Sequence, residues 1–128
     1  MNVVDSSCWL EYLMDTEIGA SVAQVIEKPD ELLVPTITLY EVYKKLLTEK
    51  NEQYASEVVS YMQKGTVIEL DAALSLAAAN ISREHKLPMA DSIIYATSRR
   101  YSSVLFSCDQ HFKDVPYVRY FPKNRVAG

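Results

Sequence analysis

Residues 87–109, LPMADSIIYATSRRYSSVLFSCD, constrain the fold of this chain more than any other stretch. Pro88 lies just before a helical pattern, where its fixed φ suits the approach to a first turn. Ala90, Ile93, Ile94, Thr97 and Tyr101 then recur at helical spacing and predict a helix packed on a core. Asp91 falls in the first turn at the edge of that stripe, placed to face a cleft. Val104-Leu105-Phe106 follows as a short apolar run that ends in Ser107-Cys108-Asp109. Helix, strand, then a carboxylate at the strand's carboxyl end predicts an α/β protein with its site on one edge of the sheet.

The same order of elements runs through the rest of the chain. Asn2-Val3-Val4-Asp5 reads as a buried strand, and Ser6-Ser7 opens a helix to about Met14 with Trp9, Leu10 and Leu13 inward. A helix over residues 17–26 ends at Lys28-Pro29-Asp30, and Leu32-Leu33-Val34 is the next strand, stopped by Pro35. From Thr36 or Thr38 a long helix runs to about Lys50, carrying Leu39, Val42, Tyr43, Leu46 and Leu47 on one face. After Asn51 comes an amphipathic helix with Ala55, Val58, Val59 and Met62, for which Gly65 makes a C-terminal stop. Residues 66–70 predict a third strand, Asp71 caps a helix bearing Leu74, Ala77, Ala78 and Ile81, and residues 118–121 predict a last, edge strand. Strands alternate with helices throughout, so a parallel sheet covered on both faces is expected.

The chain has 128 residues, no repeat and no linker, so one domain over 1–128 is expected. With 48% apolar residues and three glycines, disorder and low complexity are excluded. Cys8 and Cys108 make no disulfide framework and no CxxC spacing for zinc, which fits a reduced cytoplasmic compartment. No apolar run reaches a membrane span, and a strand from Asn2 leaves no room for a signal peptide. A net charge of −4 argues against a general nucleic-acid coat protein but not against an enzyme whose acids gather around cations.

Four acids stand out. Asp5 and Asp109 each end an apolar strand, and Glu41 and Asp91 each lie near a helix start. Each has a plain structural reading as well. Asp5 suits the N-cap of the Ser6 helix. Glu41 completes the capping-box pattern Thr38-Leu39-Tyr40-Glu41 and stands four residues before Lys45. Asp91 suits a helix dipole, and Asp109 an ordinary turn. A parallel sheet, however, brings strand ends and helix starts to one edge, where the four can converge. Two unit charges about 4 Å apart repel by roughly 4 kcal/mol at an effective dielectric of about 20, so such a cluster takes up protons or binds cations. Carboxylates without His or Cys partners suit Mg²⁺ or Mn²⁺, and such a site suits phosphodiester hydrolysis. Ser6 and Ser107 neighbour acids and can orient them; Asp114 is a candidate fifth acid. His111, near Asp109, reads as a surface-turn residue with a substrate contact as the alternative, His85 as a cation at a helix C-terminus, and the two cysteines as small core residues. Lys44, Lys45, Arg99, Arg100 and Lys113 read as solvated faces able to meet phosphates.

With these residues in place, the chain resembles the PIN-domain ribonucleases, most closely the VapC toxins of type II toxin–antitoxin pairs, nearly end to end. The resemblance is carried by Val3-Val4-Asp5-Ser6-Ser7, by Pro35-Thr36 leading to Glu41, by Leu87-Pro88-Met89-Ala90-Asp91, and by Ser107-Cys108-Asp109-Gln110-His111-Phe112. It implies a three-layer α/β/α sandwich and a Mg²⁺- or Mn²⁺-dependent endoribonuclease acting on RNA. Asp5, Glu41, Asp91 and Asp109 would be its metal-site acids, with Ser6 and Ser107 in support. It further implies a homodimer and an antitoxin that wraps the toxin. Cys108 occupies the motif's variable place, and the basic surface is thin.

Other acid-bearing α/β folds fit less well. A haloacid-dehalogenase-type phosphatase needs an Asp where Ser7 stands, and a response-regulator receiver needs a pair of acids ending the first strand. Glycine is too scarce for phosphate-loop or dinucleotide fingerprints. Two rivals stay open at this level: a catalytically silent PIN-like binding or scaffold module, and a nuclease acting on single-stranded or flapped DNA.

Overall fold

The computed structural model describes residues 1–123. Five short strands alternate with six helices: β1 Asn2–Val4, α1 Ser6–Leu13, α2 Glu17–Ile26, β2 Leu32–Pro35, α3 Thr36–Glu49, α4 Glu52–Met62, β3 Thr66–Ile68, α5 Ala72–His85, α6 Met89–Arg100, β4 Val104–Ser107 and β5 Val118–Tyr120. All strand pairs are parallel, in the order β3-β2-β1-β4-β5, with β1 central and β5 at an edge as expected.

Strand alternation builds the three layers. Successive side chains of a strand point to opposite faces. Val4, Leu32 and Val34 join Trp9, Val22, Ile26, Val42 and Met62 in the core beneath α1 to α4. Val3, Leu33 and Leu105 point the other way, into the core shared with Ile94, Tyr95 and Phe112. Burying one such side chain stabilises the fold by roughly 1.5–3 kcal/mol. The result is a parallel sheet sandwiched between two helical layers.

Several local expectations are corrected. β3 stops at Ile68, and Leu70 is exposed. Leu47 and Tyr101, placed by periodicity on buried stripes, are also exposed: Leu46 meets the core where Leu47 does not, and Tyr101 lies just past the end of α6. The capping box at Thr38 does not form. Helix α3 already begins at Thr36, and Thr38 is fully buried with its Oγ1 unpartnered among the described residues. Lys45 pairs with Glu49, not Glu41.

Glycine is used here for close approach rather than for turns. The left-handed positions are occupied by Asp15, Lys86, Ser102, Asp114 and Tyr117, and neither described glycine has positive φ. Gly65 is therefore not a left-handed helix stop; a Cβ there would sit 3.0 Å from the Leu32 carbonyl oxygen and from Val34 Cγ2. Gly19 lets α2 press onto α1, since a Cβ would fall 2.7 Å from the Tyr12 Cα. The obstacle is backbone, so it cannot rotate away. Gly19→Ala is expected to cost about 1–3 kcal/mol and lower the Tm by roughly 5–10 °C in a thermal melt, despite alanine's better helix propensity.

Candidate active site

The strand order reverses between β1 and β4, since β1 leads outward to β2 on one side while β4 and β5 lie on the other. In open parallel sheets the crevice at the carboxyl edge of such a switch point is where ligands bind. Asp5 follows β1 and Asp109 follows β4, so both enter that crevice. Glu41 comes from α3, which leaves β2 at the same edge. Asp91 lies in the first turn of α6, which leads back to the start of β4.

Side-chain bonds link the four acids in a line. Glu41 accepts a hydrogen bond from Ser6 Oγ (2.9 Å), while the Ser6 backbone N–H donates to Asp5 Oδ1 (2.9 Å). Asp5 Oδ2 accepts from Ser7 Oγ (2.7 Å) and from Ser107 Oγ (2.8 Å). Ser107 Oγ in turn accepts from the Asp109 backbone N–H (3.0 Å). Asp109 Oδ1 accepts from the His111 backbone N–H (2.9 Å) and lies 2.8 Å from His111 Nδ1, which is 3.0 Å from Asp91 Oδ2. Asp91, Asp109 and His111 offer donor atoms all within 4.8 Å of one another.

The plain structural readings of the acids hold alongside this arrangement for three of them. Asp5 is indeed the N-cap of α1, Asp91 is a first-turn acid, and Asp109 caps the short 3₁₀ turn Gln110–Phe112. The supporting hydroxyls Ser6 and Ser107 both bond to acids. Ser7 was not singled out from sequence, yet it makes the shortest bond to Asp5; its position two residues beyond an N-cap Asp is the signal that marks it. His111 stands between two acids and is more than a surface-turn residue. Asp114 is exposed at φ 64° and shares no hydrogen bond or ion pair with the four acids among the described residues. Of the candidate phosphate-contacting cations, Arg100 is bound to Asp71 (3.0 Å), Arg99 stacks on Tyr117, and Lys44 lies over Tyr40. His85, in the last turn of α5, packs edge-on against Tyr95. Cys8 and Cys108 are buried together in the core behind Asp5.

Burial, with crowding by like charge, raises the proton affinity of Asp5, Glu41 and Asp91. Burial pushes Asp5 up, Asp109 adds to this, and the Ser7 and Ser107 hydroxyls oppose it. Burial and the charges of Asp5 and Asp109 push Glu41 up against the Ser6 hydrogen bond. Asp91 is pushed up to about 7, first by burial, then by Asp109 and Asp5, with His111 opposing. The donor set therefore fits a divalent cation: oxygen-rich, like-charged and short of counter-charge. Beside it, Ser6, Ser7 and Glu41 line a groove of about 1150 Å³ together with Glu11, Lys45, Glu49, Lys50 and Tyr54.

A carboxyl whose proton affinity is raised by folding favours the folded state below its unfolded pKa, and that contribution is lost as pH climbs through the folded value. For Asp91 the window runs from about 4 to about 7. In EDTA, the melting temperature is expected to fall by roughly 5–10 °C between pH 5 and pH 8, and Asp91→Asn to remove most of that fall in the same scan.

No curated protein matches the sequence. Solved structures match it at low identity. A chain of a toxin–antitoxin complex from Klebsiella pneumoniae superposes with a TM-score of 0.75 at 20% identity, over 93% of this chain and 96% of its own. The VapC toxin of Mycobacterium tuberculosis, described as cleaving the sarcin–ricin loop, gives 0.75 at 15% identity over 92% and 97%. A chain of DNA-bound VapBC from Salmonella typhimurium gives 0.71 at 16% identity over 94% and 96%. At such identities the likeness is one of fold. The family model for the PIN domain matches residues 3–117, a span that takes in every strand but β5 nearly whole and all four acids, and the chain belongs to the PIN domain family.

Proposed function

We propose that this chain is a Mg²⁺- or Mn²⁺-dependent endoribonuclease and the toxin of a type II toxin–antitoxin pair. The observation that carries the reading is the line of four acids, tied by seryl hydroxyls at the carboxyl edge, three of them with raised proton affinity. Asp5, Glu41, Asp91 and Asp109 would hold the cation. When bound, it would supply an activated water and offset charge on the phosphoryl oxygens.

The chain's own groups do the positioning. Ser7 and Ser107 both donate to Asp5 Oδ2 and keep that carboxylate from turning, and Ser6 does the same for Glu41. Lys45 and Lys50 border the groove beside Ser6 and Glu41, where a polynucleotide's phosphates would lie. Tyr54 offers a ring in the same groove for base stacking. RNA as the substrate is supported by the described activity of the mycobacterial neighbour. An antitoxin partner is supported by the toxin–antitoxin complexes among the neighbours; a homodimer and a cytoplasmic setting enter the reading from the family resemblance alone. Among the described residues no helix is long and apolar enough to cross a membrane.

Wild type and Asp91→Asn, incubated with structured RNA in Mn²⁺ or in EDTA, test this. Wild type is expected to cut only with metal, and the variant to lose at least about a hundredfold in rate. Matched single-stranded DNA should stay intact; its cleavage would shift the substrate class, and equal cutting by both proteins would remove the assignment. Ser107→Ala is expected to keep the fold by circular dichroism and to weaken Mn²⁺ binding about 10–100-fold in calorimetry.

A further inference from the structure

We propose that His111 is a nitrogen donor to the cation of this site and makes the site prefer Mn²⁺ over Mg²⁺, a refinement that rests on the metal-dependent reading above.

The imidazole is held in place by the turn that carries it. The His111 backbone N–H is bonded to Asp109 Oδ1, and the next residue, Phe112, is fully buried beside Tyr95. The ring is thereby anchored on both sides in sequence, although its own side chain is half exposed. Its Nδ1 lies 2.8 Å from Asp109 Oδ1 and 3.0 Å from Asp91 Oδ2.

Those distances have a geometric meaning. Octahedral sites for small divalent cations have bonds of about 2.0–2.1 Å, so neighbouring donors stand about 3 Å apart. The imidazole nitrogen already keeps that spacing from two carboxylate oxygens. A hydrogen on the imidazole can serve only one of those oxygens well, and Asp109 Oδ1 already accepts from the His111 backbone N–H. Nδ1 carries at most one hydrogen, which cannot point along both directions with good geometry. A cation would be met by all three groups, whose donor atoms lie within 4.8 Å of one another. The outer nitrogen, Nε2, has no hydrogen-bond partner among the described residues and, on a half-exposed ring, can donate to water. With its hydrogen on Nε2, the ring would present the Nδ1 lone pair to a cation bound among the acids.

The nitrogen changes which ion suits the site. Carboxylates and water alone suit Mg²⁺ and Mn²⁺ alike, whereas imidazole suits transition ions better than Mg²⁺. Asp5 and Glu41, joined to the far end of the line through serines, supply oxygen only.

Wild type, His111→Ala and His111→Gln are each loaded with Mn²⁺ and examined by pulsed electron paramagnetic resonance, with Mn²⁺ and Mg²⁺ affinities measured by calorimetry. The expected result is a ¹⁴N coupling on bound Mn²⁺ in wild type that is absent from both variants. The ratio of Mn²⁺ to Mg²⁺ affinity is expected to fall about tenfold in both variants, with circular dichroism unchanged. Bound Mn²⁺ without nitrogen coupling, or an unchanged affinity ratio, overturns the role of His111 and leaves the metal site standing. Absence of Mn²⁺ binding to wild type overturns the metal site and this proposal together.

Discussion

The burial of Asp5 is the constraint on which the rest of the structure depends. Its carboxylate sits at the end of the central strand with only 2% of the residue exposed. A buried charge with an unmet acceptor is strongly destabilising, so the fold must bring donors to it. It does so from two places about a hundred residues apart, the start of α1 and the end of β4. Ser7 also accepts from the Cys108 backbone N–H (3.2 Å), closing the seam between these elements. The bonds that make Asp5 tolerable thus dock α1 against β4 and fix the edge where the other acids gather.

That edge is held against its own electrostatics. Three carboxylates have raised proton affinity because burial and one another's charge disfavour ionisation. None of the three belongs to the hydrophobic cores that lie on either side of the sheet. A cluster that costs stability when ionised, at the switch point of a parallel sheet, is the usual mark of a site kept for what it binds. The scarcity of basic groups there follows the same logic. Arg99, Arg100 and Lys44 are engaged elsewhere, and Lys45 is shared with Glu49. Counter-charge at the acids comes from few residues of the chain itself, and a cation fits the deficit.

Close packing accounts for where local rules failed. Gly65 reads as a helix stop because glycine so often takes left-handed φ, but here it clears space over β2. Thr38 reads as a helix cap by its spacing to Glu41, yet the helix starts a residue after β2 and buries it. Periodicity put Leu47 and Tyr101 inside, but Leu46 meets the core where Leu47 does not, and Tyr101 lies just past the end of α6.

By itself the sequence determined the element order, the parallel sheet, the two-sided cover and the four acids. Those follow from period-2 and period-3.6 apolar patterns and from carboxylates at strand and helix ends, which are local properties of a chain. Only the tertiary structure decided how the acids are joined. Hydrogen bonds such as Ser107 to Asp5 span 102 residues, and no local pattern encodes such a partner. The same holds for His111: a histidine in a polar turn is unremarkable until α6 brings Asp91 to 3.0 Å from its ring. Strand order placed β4 beside β1, and that neighbourhood, invisible in either strand alone, brought Asp5 and Asp109 to one edge.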